Sequence, residues 1–479
     1  MALQALLQTP ATALIALSFA FPITLLVYRL FFHPLARVPG PFYASLSSLW
    51  IYTQSYRGTE ASAIDALHAR YGPVVRVAPN EVDISDGAAL APIYTERGGF
   101  IKAQCYSNFD IDGHPTIFSE LNVAERAKRA KAVAGMFSTA SLRAGNDAIK
   151  ECVDRMLSRM EREATSGQVV NLLNLTRSLA LDAVSAYLFG KGYNGIQEEK
   201  LSASEFVDTF VAVGRFFYLP SAVFAFVEHW SAQLDENKQH VEKSMQTVDD
   251  FVSELVEDAS EDGTAYQSRL LKAGILKHET KAQCKDLMFA GTDSTGMNLA
   301  MICWFLAQYP DRYSRLRREV LEAPPSSDPQ SLPYLACVIK EGLRLSMANP
   351  TRLPRVVPPS GFPFSASNGK SYNFPPGALV GCAPYSLHFN TEIFESPRSF
   401  IPERWETPTK EMVRDHIPFG LGTRQCIARN LATVELFIAV AEIARRDVLS
   451  GARIVRDKIE IVEWFNSKVK GERIELVWK

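Results

Sequence analysis

Cys426 lies in the segment of this chain whose residue types and spacing point most directly to chemistry. The segment Pro418–Ala428 reads PFGLGTRQCIA, which places an aromatic ring, a glycine, an arginine and the cysteine in the order F-x-x-G-x-R-x-C-x-A. An apolar, helix-prone run follows at 427–443. The positive end of a helix dipole stabilises a thiolate near the helix N-terminus. The sequence therefore predicts a stabilised thiolate at Cys426.

The residues around this thiol suggest what it could bind. Gly420 and Gly422 allow the backbone to turn tightly around the sulfur, and Arg424 is expected to supply a cation two residues before the cysteine. A lone thiolate without a second cysteine nearby suits a single axial bond to haem iron. The alternative is a buried, inert thiol, which is what most cysteines are.

Cysteine and glycine spacing argues against other cofactor sites. The seven cysteines contain no C-x-x-C pair, which disfavours zinc, and their odd number fits a reducing compartment. Gly420 and Gly422 could begin the dinucleotide-binding pattern G-x-G-x-x-G, but its third glycine would fall on Gln425. The segment is therefore not such a loop.

The Cys426 segment resembles the haem-binding loop of the cytochrome P-450 family, whose pattern is F-x-x-G-x-R-x-C-x-G. Phe419, Gly422 and Arg424 occupy fixed positions of that pattern, and Ala428 stands in place of its last glycine. Alanine is also small and is the better helix former. The resemblance implies haem (iron protoporphyrin IX) bound by these residues, with Cys426 as axial iron ligand. It also implies a mainly α fold with small β-sheets, the cytochrome P-450 fold, in a single large domain.

Residues 286–301 suggest a long buried helix, because apolar residues recur there at helical periodicity. Ala290, Gly291 and Gly296 are expected to interrupt this helix at some cost in helicity. Small residues beside an acid and hydroxyl groups would leave a polar notch.

The notch resembles the family's oxygen-binding motif, (A/G)-G-x-(D/E)-T-(T/S). Asp293, Ser294 and Thr295 occupy its polar positions and are the candidate catalytic residues, with serine in the place of the first threonine. The resemblance implies that the acid and the alcohol deliver protons while the O–O bond of dioxygen breaks. Serine lacks the methyl group that fixes the rotamer of threonine. The alternative is a helix whose hydroxyls bond only to the preceding turn.

An E-x-x-R pair occurs three times, at Glu341–Arg344, Glu411–Arg414 and Glu442–Arg445, so the motif alone indicates no more than a surface ion pair. Only the first lies well upstream of Cys426 and precedes the run FIPERW, which resembles the family's P-E-R-F/W segment. The resemblance implies a buried network of the Glu341–Arg344 pair with Arg404. A half-satisfied network would be costly, so all three residues should be needed for haem incorporation.

Haem propionates need cationic partners, and the resemblance assigns Arg355 and Arg424 to them through guanidinium–carboxylate pairing. For Arg355 the alternative is a solvated arginine in a loop.

The family's W/H-x-x-x-R motif is missing from its usual helix, because the two fixed positions of the motif hold Arg126 and Ala130. A solvated helix face and a docking face for an acidic redox partner are open alternatives for this basic segment. The candidates for a further propionate ligand are Arg126, Arg129 and Lys131.

The first 28 residues carry no Asp, Glu, Lys or Arg. The apolar stretch over about 11–30 has the roughly 20 residues that span a bilayer, whereas a cleaved signal peptide would have a basic start and a shorter apolar core. The first charges, Arg29 and Arg37, lie on its C-terminal side, which is expected to place the bulk of the protein in the cytosol. The sequence predicts a membrane anchor over 1–32 and a catalytic domain over 33–479. The proline-rich connector HPLARVPGP resembles the hinge of microsomal, especially fungal, family members, which implies single-pass attachment to the endoplasmic reticulum membrane.

Composition bounds the class of protein. The chain has 51 basic and 53 acidic side chains, and this balance argues against a nucleic-acid-binding protein.

The substrate pocket is expected to draw on 105–123, 206–226, 289–294 and the residues after Arg344. The second of these stretches carries seven aromatic residues, which favours a small lipophilic substrate or, alternatively, core or membrane-dipping side chains.

The motifs follow family order across residues 33–479, so the resemblance covers nearly the whole chain. It implies a haem-thiolate monooxygenase that hydroxylates, epoxidises or otherwise oxidises a lipophilic specialised metabolite. The chain carries no flavin or nicotinamide fingerprint, so electrons are expected from an NADPH-cytochrome P-450 reductase, with cytochrome b5 as a second candidate donor. The alternatives are oxidative coupling or rearrangement without net oxygen insertion, and a non-catalytic haem-binding membrane protein.

Overall fold

The computed structural model describes residues 10–234 and 238–478. Over these residues the chain is mainly helical with small β-sheets, as predicted. The α-helices are α1 Pro10–Val27, α2 Phe42–Leu46, α3 Leu49–Arg57, α4 Glu60–Tyr71, α5 Val123–Val133, α6 Thr139–Ala144, α7 Asn146–Thr165, α8 Leu172–Val184, α9 Ala203–Val213, α10 Ser221–Leu234, α11 Lys238–Glu257, α12 Tyr266–Lys272, α13 Lys277–Gln308, α14 Pro310–Glu322, α15 Pro333–Ser346, α16 Pro384–His388, α17 Lys410–Asp415 and α18 Arg429–Arg445.

The strands are short and form small sheets. In the largest sheet the strand order is β1-β2-β8-β5-β3, and smaller sheets have the orders β4-β12-β9, β10-β11 and β6-β7. The strands are β1 Val74–Ala78, β2 Glu81–Ile84, β3 Ile101–Lys102, β4 Val170–Asn171, β5 Arg355–Val356, β6 Phe362–Ser365, β7 Ser371–Phe374, β8 Leu379–Gly381, β9 Ala452–Ile454, β10 Ile461–Val462, β11 Lys468–Val469 and β12 Glu475–Trp478.

Helix α13 is the long buried helix that residues 286–301 predicted, and it runs unbroken for 32 residues. The expected interruption at its glycines was wrong. A Cβ atom at Gly296 would lie 2.7 Å from the Cα of Arg177, and one at Gly291 would lie 2.9 Å from a methyl of Val184. The glycines therefore allow α8 to pack closely against α13, and tertiary packing offsets their low helix propensity.

The last helix, α18, presents Cys426 at its N-terminal end. It begins at Arg429, with Ala428 as the N-cap residue, and most of its apolar side chains are buried. Helix α15 packs between α13 and α18 in the same hydrophobic core. These three helices hold the Cys426 segment, the polar notch and the Glu341–Arg344 pair in fixed positions.

The N-terminal stretch forms α1 and then one π-helical turn, Tyr28–Phe32. Residues 1–9, and the side chains of residues 10–17 and 19, lie outside the described part of the chain, so much of the predicted anchor does too. Within 10–234 and 238–478, the helices include none with both the length and the apolar character to cross a bilayer. The division into an anchor over 1–32 and a domain over 33–479 stays a prediction.

Candidate functional site

A single cavity inside the protein is lined both by the middle of α13 and by the Cys426 segment. Its lining includes Ala290, Gly291, Ser294 and Thr295 of α13 together with Cys426. The volume open to a water-sized sphere in this cavity is about 250 Å³.

Backbone geometry fixes the Cys426 segment against its surroundings. The Cys426 N–H donates to the Phe419 carbonyl at 2.9 Å, which closes the loop around the sulfur. Gly422 has a φ of 70°, and a Cβ there would lie 1.8 Å from the Tyr94 carbonyl oxygen. Only glycine fits this position. Phe419 and Ala428 line the cavity on either side of the cysteine.

The Cys426 thiol opens into the cavity and forms no disulfide. Burial in the protein raises the pKa of the thiol, while the backbone N–H of Ala428 and the charge of Arg429 lower it. The expectation that Arg424 supplies the cation for this thiol was wrong. The Arg424 guanidinium is instead bound to the carbonyls of Glu120 and Leu121, at 2.7 and 3.2 Å. A bound metal ion would deprotonate the thiol outright.

Four cationic side chains meet at one end of the cavity: Lys102, Arg126, Arg355 and Arg424. Lys102 and Arg355 lie directly opposite each other where β3 pairs with β5. The Arg355 guanidinium is held by the Tyr106 hydroxyl at 3.0 Å. These tethers hold several positive charges in one small region.

Such a cluster needs an anion. The pKa of the Lys102 amine lies well below its usual value because of burial and then because of Arg355, Arg424 and Arg126. The pKa of Arg424 is lowered to about 10, first by burial. Among the described residues that line the cavity, Asp286 is the one acid. Two propionate carboxylates would relieve the repulsion through charge-assisted hydrogen bonds, so the residues present fit haem.

The missing W/H-x-x-x-R arginine has a replacement within the same helix. Arg126 lines the cavity and donates to the Ile117 carbonyl at 3.2 Å. Arg129 is instead paired with Glu120 at 2.8 Å, and Lys131 is exposed. Of the three candidates, only Arg126 lines the cavity and could hold a propionate there.

Lys102 is a candidate cofactor ligand that the sequence did not reveal. Its amine donates to the Phe118 carbonyl at 2.5 Å and lies 4.1 Å from the ring centres of Tyr106 and Phe118. No motif surrounds it, and its neighbour Arg355 is far away in the sequence. Only the β3–β5 pairing brings the two together.

We expect Lys102→Met to raise the rate of haem loss about tenfold or more, because a hydrogen bond between charged groups contributes about 1.5–3 kcal/mol. The rate of haem transfer to excess apomyoglobin measures this effect. The matched control is Lys370→Met, since Lys370 is exposed on the turn between β6 and β7. Equal transfer rates for the two variants would contradict a role for Lys102 in holding the cofactor.

Asp293 does not line the cavity, in contrast to Ser294 and Thr295. Its carboxylate accepts a hydrogen bond from Arg177 at 2.7 Å, and Arg177 also binds Asp208 at 3.0 Å. Burial raises the pKa of Asp293, although Arg177 opposes this shift. The Asn466 side chain also acts to lower the pKa of Asp293, and it lines the cavity. The acid therefore lies one residue behind the cavity wall.

Glu341 is the centre of a fully buried charge network. Its carboxylate accepts from Arg344 at 2.8 and 2.9 Å, from Arg404 at 3.1 Å and from the Trp405 indole at 2.9 Å. The structure thus brings together the three residues that the sequence grouped. The other two E-x-x-R motifs do not form such a network. Glu442 and Arg445 form a half-exposed pair, and Arg414 binds the adjacent Asp415.

His388 connects this network to the Cys426 segment, and sequence reasoning missed it. Its Nδ1–H donates to the Arg344 carbonyl at 3.2 Å, and its Nε2 accepts from the Ile417 N–H at 3.0 Å. Burial, followed by His416 and Arg344, lowers the pKa of His388 well below its usual value. A neutral ring suits both hydrogen bonds. The network therefore supports the start of the loop that carries the thiol.

The predicted substrate-binding stretches contribute unequally to the cavity. Of the aromatic side chains described in 206–226, only Phe210 lines it. Phe217 and Tyr218 are buried nearby, and Phe226 is exposed. Phe109, Phe118 and Phe465 complete an aromatic wall with Phe210. Phe465 comes from a C-terminal loop that the sequence did not assign to the pocket.

Comparisons with known proteins agree with this geometry. The family model described as Cytochrome P450 matches residues 38–446. "Cytochrome P450 monooxygenase mfmF" of Annulohypoxylon moriforme is 39% identical over 98% of this chain and 99% of its own length. "Pisatin demethylase" of Fusarium vanettenii is 28% identical over 89% of this chain and 87% of its own length. "Fusicoccadiene C-8 hydroxylase" of Alternaria brassicicola is 26% identical over 89% of this chain and 87% of its own length.

The family match spans most of the chain and includes the thiol, the cations and the buried network of the cavity. Members of this family bind haem iron and receive electrons that originate from NADPH through a redox partner. This chain therefore belongs to the cytochrome P450 family and is a P450 oxidoreductase.

Proposed function

We propose that this protein is a haem-thiolate monooxygenase that hydroxylates, epoxidises or otherwise oxidises a small lipophilic specialised metabolite. The observation that carries the proposal is that Cys426, Ser294 and Thr295 line one cavity. Bound haem supplies the activation of dioxygen at its iron, and thiolate ligation favours cleavage of the O–O bond. The printed names of the relatives support the substrate class, since they include a pisatin demethylase and a fusicoccadiene hydroxylase.

The residues of this chain divide the remaining tasks. Cys426 would be the axial ligand, and Lys102, Arg126, Arg355 and Arg424 would hold the two propionates. The aromatic wall would exclude water from an apolar substrate. Ser294 and Thr295 lie at the cavity, and Asp293 would exchange protons with it through an intervening water.

Asp293→Asn is expected to lower product formation by about 100-fold, the size of a typical general acid contribution. Haem content should be retained, because Arg177 keeps Asp208 as a partner. The measurement is product formed per NADPH consumed, together with the hydrogen peroxide released. Consumption of NADPH that continues with peroxide as the main product indicates failed proton delivery. An unchanged yield of product would show that Asp293 is only structural.

The net reaction is tested by co-expression with an NADPH-cytochrome P450 reductase in a host fed candidate lipophilic precursors. Turnover under ¹⁸O₂ should give a product heavier by one ¹⁸O atom. A coupled or rearranged product without label would favour the alternative of oxidative coupling. Release of a product only when the reductase is present would support that partner, and cytochrome b5 can be added in the same assay. The exposed Lys128 and Lys131 are candidate contacts for an acidic partner.

We also propose single-pass attachment of the enzyme to the endoplasmic reticulum membrane through residues 1–32, with the catalytic domain facing the cytosol. The absence of charge from the first 28 residues supports this proposal. Removal of residues 1–30 should release the protein from membranes and leave its haem spectrum unchanged. Continued membrane association of the truncated protein would instead implicate the exposed side chains of Phe226 and Trp230.

A further inference from the structure

Tyr94 is a buried residue behind the cavity wall, and the proposed reaction leaves it without a task. It belongs to the π-helical turn Ala91–Thr95, and only 3% of its surface is exposed. Its side chain does not line the cavity. Its hydroxyl, its ring and its backbone carbonyl nevertheless contact different parts of the candidate site. These contacts reach both the cation cluster and the loop that carries the thiol.

The Tyr94 hydroxyl is inserted between two backbone segments that adjoin β5 and β8. It accepts a hydrogen bond from the Cys382 N–H at 2.8 Å and donates one to the Leu353 carbonyl at 2.9 Å. The Leu353 N–H in turn donates to the Cys382 carbonyl at 3.1 Å. In an antiparallel ladder, two residues paired in this way exchange both hydrogen bonds directly. The hydroxyl takes the place of one of these bonds and so sets the spacing of the two segments.

This spacing acts on Arg355, two residues after Leu353. The Arg355 Nη1 atom donates to the Pro354 carbonyl at 3.0 Å and to the Leu353 carbonyl at 3.4 Å, the same carbonyl that Tyr94 bonds. The central carbon of the guanidinium lies 5.0 Å from the centre of the Tyr94 ring, within the range of a cation–π contact. The hydroxyl and the ring of Tyr94 therefore support this cation from two sides.

The backbone of the same turn supports the loop that carries the thiol. Gly422 packs so closely against Tyr94 that a Cβ atom there would lie 1.8 Å from the Tyr94 carbonyl oxygen. The Thr423 hydroxyl donates to the carbonyl of Gly98, just beyond the turn, at 2.9 Å. The Tyr94 turn thus connects Arg355, a candidate propionate ligand, with this loop.

A cation beside the propionates affects two properties of a bound haem. It holds the haem through charge-assisted hydrogen bonds, and it attracts the electron that reduces the iron. A displaced Arg355 guanidinium should therefore speed the loss of haem and lower the midpoint reduction potential.

We propose that Tyr94 is a positioning residue for the reaction, and that its hydroxyl fixes Arg355 relative to the loop of Cys426. The propionate contact and the thiolate bond then suit one and the same position of the haem. Tyr94 acts through Arg355 and not by contact with the reacting atoms. The inference rests on the proposed function, and it gives a residue outside the cavity wall a part in haem retention and reduction.

The test compares Tyr94→Phe with the wild type as purified, full-length holoenzyme. The change removes the hydroxyl and keeps the ring. We expect haem transfer to excess apomyoglobin to be at least about fivefold faster, because two buried backbone groups lose their partner and release Arg355. We also expect a lower midpoint potential. Wild-type values of both quantities would overturn the proposal.

Tyr313→Phe is the matched control. The Tyr313 hydroxyl donates to the Ile443 carbonyl at 3.1 Å and accepts from the Leu449 N–H at 3.3 Å, and the residue is buried but does not line the cavity. Its loss should lower the unfolding temperature about as much as Tyr94→Phe does and leave haem transfer and potential unchanged. Equal effects of the two variants on haem, or a Tyr94→Phe protein that does not fold while Tyr313→Phe does, would assign Tyr94 to the fold in general and overturn the proposal.

A double-mutant cycle tests whether Tyr94 acts through Arg355. When Arg355→Met is already present, Tyr94→Phe should change the rate of haem transfer less than about twofold, because the hydroxyl has no cation left to position. Arg126→Met is the comparison, since Arg126 lines the same cavity and is bound to the Ile117 carbonyl. In that background Tyr94→Phe should keep its full effect. Equal effects in both backgrounds would overturn the proposal.

The carbon monoxide spectrum separates this inference from the proposed function. A wild-type protein without the red-shifted band of a thiolate-bound haem contradicts the proposed function. A wild-type protein with that band, whose haem loss and potential do not respond to Tyr94→Phe, contradicts only the role of Tyr94.

Discussion

Cys426→Ala should reduce product formation to the background level, a loss of at least about 1,000-fold. The reason is that the Cys426 sulfur lies in the cavity wall and, as a thiolate, would bond the iron and donate electron density to it. Other residues of the cavity hold the propionates, so part of the haem can stay bound without the thiolate. Product formation in the reductase assay and haem content per protein measure the two effects separately.

Cys337→Ala is the matched control for this change. Cys337 is a buried cysteine on α15 that does not line the cavity. Its replacement removes a thiol from the hydrophobic core and should preserve activity within about twofold, as a small core truncation away from the site would. Comparable losses in the two variants would mean that cysteine removal harms the fold in general and that Cys426 has no special role.

Glu341→Gln should prevent accumulation of stable holoprotein. The carboxylate is fully buried and is surrounded by Arg344, Arg404 and the Trp405 indole. An amide has the same shape, but it leaves two buried guanidinium groups without a negative partner and places an N–H group against them. Breaking a buried ion pair on one side costs about 3–5 kcal/mol. This is a large part of the total stability of a typical protein, about 5–15 kcal/mol.

Thermal unfolding and haem content of the purified protein measure the effect of Glu341→Gln. The control is Glu442→Gln, which disrupts an E-x-x-R pair that is about 30% exposed on both sides. A surface pair contributes about 0–1 kcal/mol, so this variant should resemble the wild type. A Glu341→Gln protein that unfolds at the wild-type temperature with full haem content would show that the network is dispensable.

The site was predictable from sequence where its residues are close together along the chain. The loop around Cys426 is one continuous segment, and the spacing of its glycines and cysteine is fixed by local backbone turns. The helical periodicity of 286–301 likewise gave the long helix α13. Glu341 and Arg344 are neighbours on a helix face, and the P-E-R-W run supplied Arg404.

Contacts between distant segments could not be predicted in this way. Arg177 meets Asp293 because Gly296 allows α8 to approach α13 closely, and the sequence pattern of neither helix shows this. Lys102 meets Arg355 only through the pairing of two-residue strands. Such short strands carry no usable alternation of apolar and polar residues. Arg429 and not Arg424 acts on Cys426, because the Arg424 guanidinium binds the carbonyls of Glu120 and Leu121, which are distant in the sequence.

The central claim is that the thiolate of Cys426 is the axial ligand of a haem in this cavity. The most direct measurement is the difference spectrum of the reduced, full-length protein on addition of carbon monoxide, for the wild type and for Cys426→Ala. The account predicts the strongly red-shifted Soret band of a thiolate-ligated haem in the wild type and the loss of that band in Cys426→Ala. Absence of the band from the wild type, or its persistence unchanged in Cys426→Ala, would contradict the account.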